Sequence, residues 1–295
     1  MNDAAIEVNG LSKSYKSQRA VDGLGFSVPR GSICGFLGRN GAGKTTTIKT
    51  ILGMLRPDAG TVRVLGMDAL DVDASVLVRL QTGFVSEIKE FYPYMNVGQI
   101  IDFTRPFYPT WDRELEREFI DRFSLSPKQK MSKLSKGMRT QLAILLAVAR
   151  NTDLLIMDEP TDGLDPFLVE ETLRLLVGHA ARRGTTIFFS SHQLDEVEQI
   201  ADRVIIIDHG KVKIDGSLDD LRSNYRRVRM VFQHGTPAEM AELVGAASST
   251  TGRTVSVLAR DNVEHLIDRA RWHQATDIEV QPVGLKEIFL EVVKQ

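Results

Sequence analysis

Four short apolar runs frame this chain, at residues 33–37, 154–157, 185–189 and 204–207. Helix-length stretches at 167–183 and 196–201 separate the last three. Near-continuous apolar strands spaced by helices predict a parallel sheet covered on both faces. Ahead of them, residues 4–31 alternate apolar and polar, as in Ile6-Glu7-Val8 and Phe26-Ser27-Val28, with turn signals at Asn9-Gly10 and Pro29-Arg30-Gly31. That alternation predicts half-exposed antiparallel strands. Residues 61–66 and 83–85 read as further strands, and 71–82 as a helix. The stretch 97–150 reads as mostly helical, with breaks at Pro106, Pro109 and Pro127, and Asp112 is placed to cap the helix that runs to Phe123. A turn at Asp208-His209-Gly210 leads into a hairpin strand over 211–216.

The character shifts around 218–225. Beyond it, strand-like runs (228–232, 254–258, 278–280) alternate with helical ones (238–244, 263–272), and 248–252 reads as a polar linker. Leu285, Ile288, Phe289 and Val292 recur at i, i+3, i+4 and i+7, an amphipathic helix with a packing face. Two domains are therefore expected, 1–220 and 221–295, the first containing a helical subdomain over about 88–150. The second carries no recognisable chemistry and reads as a regulatory or dimer-stabilising appendage. Its Arg222, Arg226, Arg227 and Arg229 read first as a solvated basic face, with contact to anionic lipid or a partner as the alternative.

Composition narrows the function classes. With 42% hydrophobic and 26% charged residues the chain is an ordinary globular one. A net charge of −2 gives no general electrostatic reason to bind nucleic acid, and none is expected as a partner. The single Cys34 excludes an internal disulfide, suits a reducing cytoplasm, and reads as a small buried residue on its strand. The N-terminus lacks the features of a signal peptide, and the longest uncharged apolar run, 142–149, is too short to cross a bilayer. Any membrane role is expected to go through a partner.

Chemistry enters directly after the first apolar run, at Gly38-Arg39-Asn40-Gly41-Ala42-Gly43-Lys44-Thr45-Thr46. A strand, a glycine-rich loop and a helix start, in that order, make a phosphate-binding loop. Backbone N–H groups around Gly38, Asn40, Gly41, Ala42 and Gly43 can form a nest for anionic oxygens at the positive end of a helix. Lys44 suits the β- and γ-phosphates, and the Thr45 hydroxyl suits Mg²⁺. A nucleoside triphosphate is the expected ligand. The second apolar run ends in Asp158 and Glu159, carboxylates at the sheet edge where ligands of such folds bind. Asp158 is placed to hold Mg²⁺, and Glu159 to polarise an attacking water. The third run ends in Ser190-Ser191-His192, which brings His192 within reach of the γ-phosphate. Leu134-Ser135-Lys136-Gly137-Met138 opens a further helix, with Ser135 as cap and Gly137 leaving room for a phosphate.

Together these motifs resemble the ATP-binding subunit of an ABC transporter over roughly residues 4–220. Tyr15 matches the aromatic A-loop, 38–46 Walker A, 134–138 the signature, 154–159 Walker B, 160–165 the D-loop, and His192 the switch histidine. The resemblance implies an α/β fold: a P-loop NTPase (RecA-like) core with an antiparallel β subdomain and an α-helical subdomain, followed here by a small α+β appendage. It turns Tyr15, otherwise a strand aromatic covering core, into an adenine-stacking residue. It also assigns Thr46 and Asp165 to the nucleotide site. Two such subunits, identical or different, would sandwich two ATP molecules, each between Walker A of one chain and Ser135/Gly137 of the other.

An integral membrane permease would be driven by this cycle, with the chain held peripherally at the cytoplasmic face of the membrane. Two departures stand out: Glu87 replaces the usual Q-loop glutamine, leaving its approach to Mg²⁺ open, and the signature reads Leu-Ser-Lys-Gly-Met. Similar variations occur in subunits resembling bacterial exporters of peptide antibiotics or other hydrophobic compounds. A soluble regulatory ATPase is the competing class. The aromatic-rich loop at 91–95 either receives the membrane partner or packs internally.

Overall fold

The alternation in the first thirty residues becomes two long strands, β1 (Ala4–Tyr15) and β2 (Gln18–Pro29), paired antiparallel. The structure is a computed structural model, and it describes residues 4–16, 18–233, 235–237, 249–260 and 263–294. Asn9-Gly10 does not turn the chain. β1 runs through it with a register shift between Val8 and Leu11, and Gly10 takes φ 62°. A bulge absorbs the turn signal, because a glycine with positive φ can sit inside a strand as well as between two.

The apolar run after β2 forms β3 (Ile33–Leu37), which leads to α1 (Lys44–Ile51), β4 (Ala59–Val64), β5 (Met67–Asp68), α2 (Val72–Leu80) and β6 (Thr82–Val85). A helical segment comes next, with α3 (Val97–Thr104), α4 (Arg113–Arg122) and α5 (Lys136–Val148). Asp112 caps α4 through Glu114 and Leu115 N–H, as its position in the sequence indicates. The chain then alternates as β7 (Leu154–Asp158), α6 (Pro166–Arg183), β8 (Thr186–Ser191), α7 (Leu194–Ile200), β9 (Arg203–Asp208) and β10 (Lys211–Ser217).

Two sheets result, one ordered β2-β1-β4-β5 and one ordered β10-β9-β3-β8-β7-β6. In the second, β3 pairs in parallel with both β8 and β9, and β7 with both β8 and β6. Every residue of β3, β7 and β8 is buried, which explains their continuous apolar runs. Cys34, fully buried, sits near the start of β3. Phe26 of β2 meets Phe36 of β3 at 5.7 Å and Phe188 of β8 at 6.0 Å between ring centroids, which joins the antiparallel sheet to the parallel one. Burying rings of this size contributes on the order of 2–3 kcal/mol each, so the platform under the phosphate loop is firmly anchored.

The chain divides into two compact units, Met1–Val212 and Lys213–Gln295. The expected boundary after residue 220 falls inside α8 (Leu218–Asn224). The second unit holds a sheet ordered β12-β13-β11-β14, from β11 (Tyr225–Phe232), β12 (Ser249–Thr251), β13 (Thr254–Arg260) and β14 (Ala275–Pro282). Helix Val263–Trp272 packs on it through Leu266 and Ala270, against Val228, Met230 and Val255. Helix Leu285–Lys294 buries Leu285 and Ile288, the first two positions of its apolar stripe.

The polar linker expected at 248–252 is instead largely strand: β12 pairs with β13, since an edge strand tolerates polar residue types. The helix expected over 238–244 lies outside the described residues. Within the basic stretch 222–229, Arg227 grips Glu287 at 2.7 Å, and Arg229 stands 3.8 Å from Glu279.

Candidate functional site

The loop after β3 ends at Gly43, which caps α1 with φ 106° and no side chain to offer. A Cβ there would sit 2.5 Å from the carbonyl oxygen of Ala20, so only glycine fits both the conformation and the space. With no capping side chain, the first N–H groups of α1 remain for a ligand, at the end of the helix that favours negative charge. Behind the loop stands a run of β-branched residues. Thr47 and Thr50 donate their hydroxyl protons to the carbonyls of Gly43 and Thr46, so the poor helix formers are held by bonds to the preceding turn.

A cavity of about 350 Å³ opens over this loop. Its walls include Tyr15, Asn40, Gly41, Gly43, Lys44, Thr45 and Thr46, together with Glu87, Asp158 and Glu159. Tyr15 is half exposed here and does not cover core, so its ring is available to a flat ligand. Arg39 of the phosphate loop completes the wall with Gln18 and Ala20, which no motif singled out.

Lys44 is only 7% exposed. Its ammonium donates to the Gly38 carbonyl at 2.7 Å and lies 3.6 Å from Oε1 of Glu159. Glu159 is in turn buried and held on its other oxygen, where Nδ1 of His192 donates at 2.7 Å. Lys44, Glu159 and His192 thus form one continuous polar line. Glu159 takes φ 50°, a conformation that costs a non-glycine residue about 1–3 kcal/mol and persists only where the surroundings enforce it. One enforcing contact is Ser190, whose Oγ accepts from Glu159 N–H at 3.0 Å while donating to Asp158 Oδ1 at 2.6 Å.

Oxygen donors Thr45, Glu87 and Asp158 share the cavity wall. Hard oxygen ligands of this kind, one or two carboxylates and a hydroxyl beside a phosphate nest, fit Mg²⁺. Next to them a buried acid appears that motif reading did not mark. Glu196 Oε2 accepts from Thr161 Oγ1 at 2.6 Å and Ser191 Oγ at 3.1 Å, and burial pushes its carboxyl above the usual carboxylate range.

Of the expected site residues, Gly38, Ala42 and His192 are not among the cavity walls, and neither are Ser135, Gly137 and Asp165. Ser135 caps α5 by accepting from Met138 N–H at 3.1 Å and is exposed. Gly137 is buried against the loop after Walker B: a Cβ on it would stand 3.2 Å from the Gly163 carbonyl oxygen. Asp165 caps α6 by accepting from Leu168 N–H at 3.0 Å. Lys136 and Asp162 pair at 2.7 Å, and the lysine's hydrogen bond holds the Asp162 carboxyl below its ordinary value. The start of α5 and the 160–165 loop are therefore one assembly.

A family model described as ABC transporter matches residues 21–162. The daunorubicin resistance ATP-binding protein DrrA3 of Streptomyces coeruleorubidus is 33% identical over 99% of this chain and 95% of its own length. The bacitracin transport ATP-binding protein BcrA of Bacillus licheniformis is 37% identical over 75% of this chain and 72% of its own. Among solved structures, an ATP-binding subunit of an ABC transporter superposes with a TM-score of 0.67 at 30% identity, covering 74% of this chain and 92% of that one. A phosphate loop at the end of a parallel strand, two carboxylates lining the same cavity and relatives matched over most of their length lead to one assignment. The chain belongs to the ATP-binding subunits of ABC transporters, which bind and hydrolyse ATP to power transport.

Proposed function

We propose that the chain is one half of a pair that closes on ATP and drives an export permease in the membrane. What supports this most directly is the separation between the two phosphate-ready helix starts. The nest at α1 lines the cavity, whereas Ser135 and Gly137 are not among its walls. Ser135 keeps its hydroxyl proton for a donor role while its oxygen caps α5. A second copy, or a related subunit, presenting its own Ser135 and Gly137 would complete the ATP site.

In that reading Tyr15 stacks on adenine, and the N–H groups around Gly41 and Gly43 cradle the phosphates. Thr45 and Asp158 would hold Mg²⁺, with Glu87 at its edge; when bound, the ion neutralises charge on the β- and γ-phosphates. Lys44 exchanges its weak contact with Glu159 for the γ-phosphate, which leaves the Glu159 carboxylate to take a proton from the attacking water. His192 keeps that carboxylate oriented. Asp165, at the tip of the 160–165 loop, acts across the pair through the position of that loop.

Among the described residues no helix is long and apolar enough to cross a membrane. The cytoplasmic face of the membrane is the proposed location, reached through a permease. A surface suited to that contact is a cluster of exposed aromatics: Tyr92 stacks near Tyr94 at 5.7 Å and meets Phe103 at 6.2 Å, which meets Phe107 at 5.6 Å. Four such rings packed on each other at the surface form a patch of the kind that marks partner sites. Names of the relatives (daunorubicin resistance, bacitracin transport) favour hydrophobic or peptide-like antibiotics as the exported class. Glu159→Gln tests the core of this proposal. It should retain ATP and accumulate as an ATP-bound dimer on light scattering, with turnover close to zero. Wild-type turnover with no dimer would reject it.

A further inference from the structure

No motif marks Lys89, yet its side chain reaches the backbone of Glu159. It lies in the loop between β6 and α3, with the exposed residues Ile88 and Glu90 on either side. A long cationic side chain in such a place normally extends its ammonium into water. Lys89 instead turns inward and is half-buried, donating to the backbone carbonyl of Glu159 at 2.9 Å. Among the described residues this carbonyl is its one hydrogen-bond partner. Burial lowers the Lys89 pKa, an effect opposed by the carboxylates of Asp162, Asp158 and Glu159 and reinforced by Lys136.

That carbonyl belongs to the residue with φ 50°. Its N–H is already held by Ser190 at 3.0 Å. Within its own turn the Glu159 carbonyl accepts only a long bond from Asp162 N–H, at 3.3 Å, so Ser190 of β8 and Lys89 of the loop carrying Glu87 make the closer contacts to its backbone. A left-handed backbone at a residue with a bulky side chain is retained only where contacts on both sides fix it, and a charge-assisted bond is the stronger kind of anchor.

We propose that Lys89 is a positioning residue for hydrolysis: it clamps the Glu159 carbonyl and so holds the carboxylate in its place between Lys44 and His192. The inference rests on Glu159 acting as the base. Since Glu87, two residues earlier, lines the ATP cavity, the same loop touches the nucleotide and sets the aim of the base. Motion of this loop would then alter hydrolysis without touching the phosphate nest.

The test is made on the full chain with Lys89→Met, Lys89→Arg and Glu159→Gln. Lys89→Met should lower kcat about tenfold while the Kd for ATP stays within about twofold, the split expected when one hydrogen bond that orients a reacting group is lost. Lys89→Arg restores a cationic donor and should recover most of the rate. Should the Met chain not fold, Lys89→Ala removes the donor with a smaller side chain, and is read by the same split. Wild-type kcat in the Met or Ala chain overturns the proposal, as does a loss of ATP affinity that matches the loss of rate. Wild-type turnover in Glu159→Gln would instead remove the base assignment, an outcome distinguishable from the failure of the clamp.

Discussion

Two helix starts in this molecule are built for phosphate, and they differ in what has been left unfinished. At α1 the cap is Gly43, which contributes no side chain, and the adjoining Lys44 is buried against the Gly38 carbonyl. At α5 the cap is Ser135, whose oxygen already accepts from Met138 N–H, and the neighbouring Lys136 is engaged with Asp162. The first is an anion site within a single chain. The second is satisfied as it stands and exposed, so it can meet a phosphate only as an additional donor brought from outside. On the proposed pairing, one sequence would encode both a binding site and a gate, with affinity concentrated at one helix and its dependence on assembly at the other.

This contrast can be broken experimentally. Lys44→Ala should have the largest effect, raising the Kd for ATP about a hundredfold or more, because a buried charge facing the phosphates is lost; titration with a fluorescent ATP analogue measures it. Unchanged affinity would mean that the nest does not depend on its lysine. Gly43→Ala should cost about 2–3 kcal/mol of stability in denaturant unfolding, from a Cβ forced into φ 106° beside the Ala20 carbonyl. At the other helix Ser135→Arg should leave ATP affinity of the isolated chain unchanged, cost about 1 kcal/mol in lost capping, and lower hydrolysis about tenfold or more. Equal losses of affinity and rate would erase the distinction between the two helix starts.

The smallest effect belongs to the Lys136–Asp162 pair. Its lysine is 64% exposed, so Asp162→Asn should cost less than about 1 kcal/mol at neutral pH. Asp162 has its pKa lowered from 3.8 in the folded chain. The pair's contribution is therefore complete above that value and lost as pH falls through the lower, folded one. Melting curves of the variant and the parent should differ at pH 7 and converge in acid.

Much of the site was legible because its geometry is carried by contiguous residues. The phosphate loop is fixed by a strand, three glycines and a helix start, all within 33–47, and Asp158 and Glu159 come directly at the end of an apolar run. Ser190 was visible only as part of a strand end. Its role depends on the register that sets it opposite Asp158, a pairing between strands from distant parts of the chain. Lys89 and Glu196 gave no local signal at all, since a lysine in a polar loop and a glutamate on a short helix are ordinary until the fold brings them to Glu159, Thr161 and Ser191. In the fold, periodicity located the parallel strands well because burial on both faces leaves them continuous. It misplaced Asn9-Gly10 and 249–251, where a bulge and an edge strand use residues that elsewhere make turns and linkers.

One buried atom has a practical consequence. The sole sulfhydryl of the chain, on Cys34, is sealed within strand β3 of the central sheet with no exposed surface. Thiol-directed dyes and spin labels need an accessible thiolate, so the folded protein should remain unmodified by them. A cysteine introduced at an outward position such as Val72, which is 79% exposed, would then be the single attachment point without removal of the native one. Opening and closing of a pair could be tracked from one probe per chain.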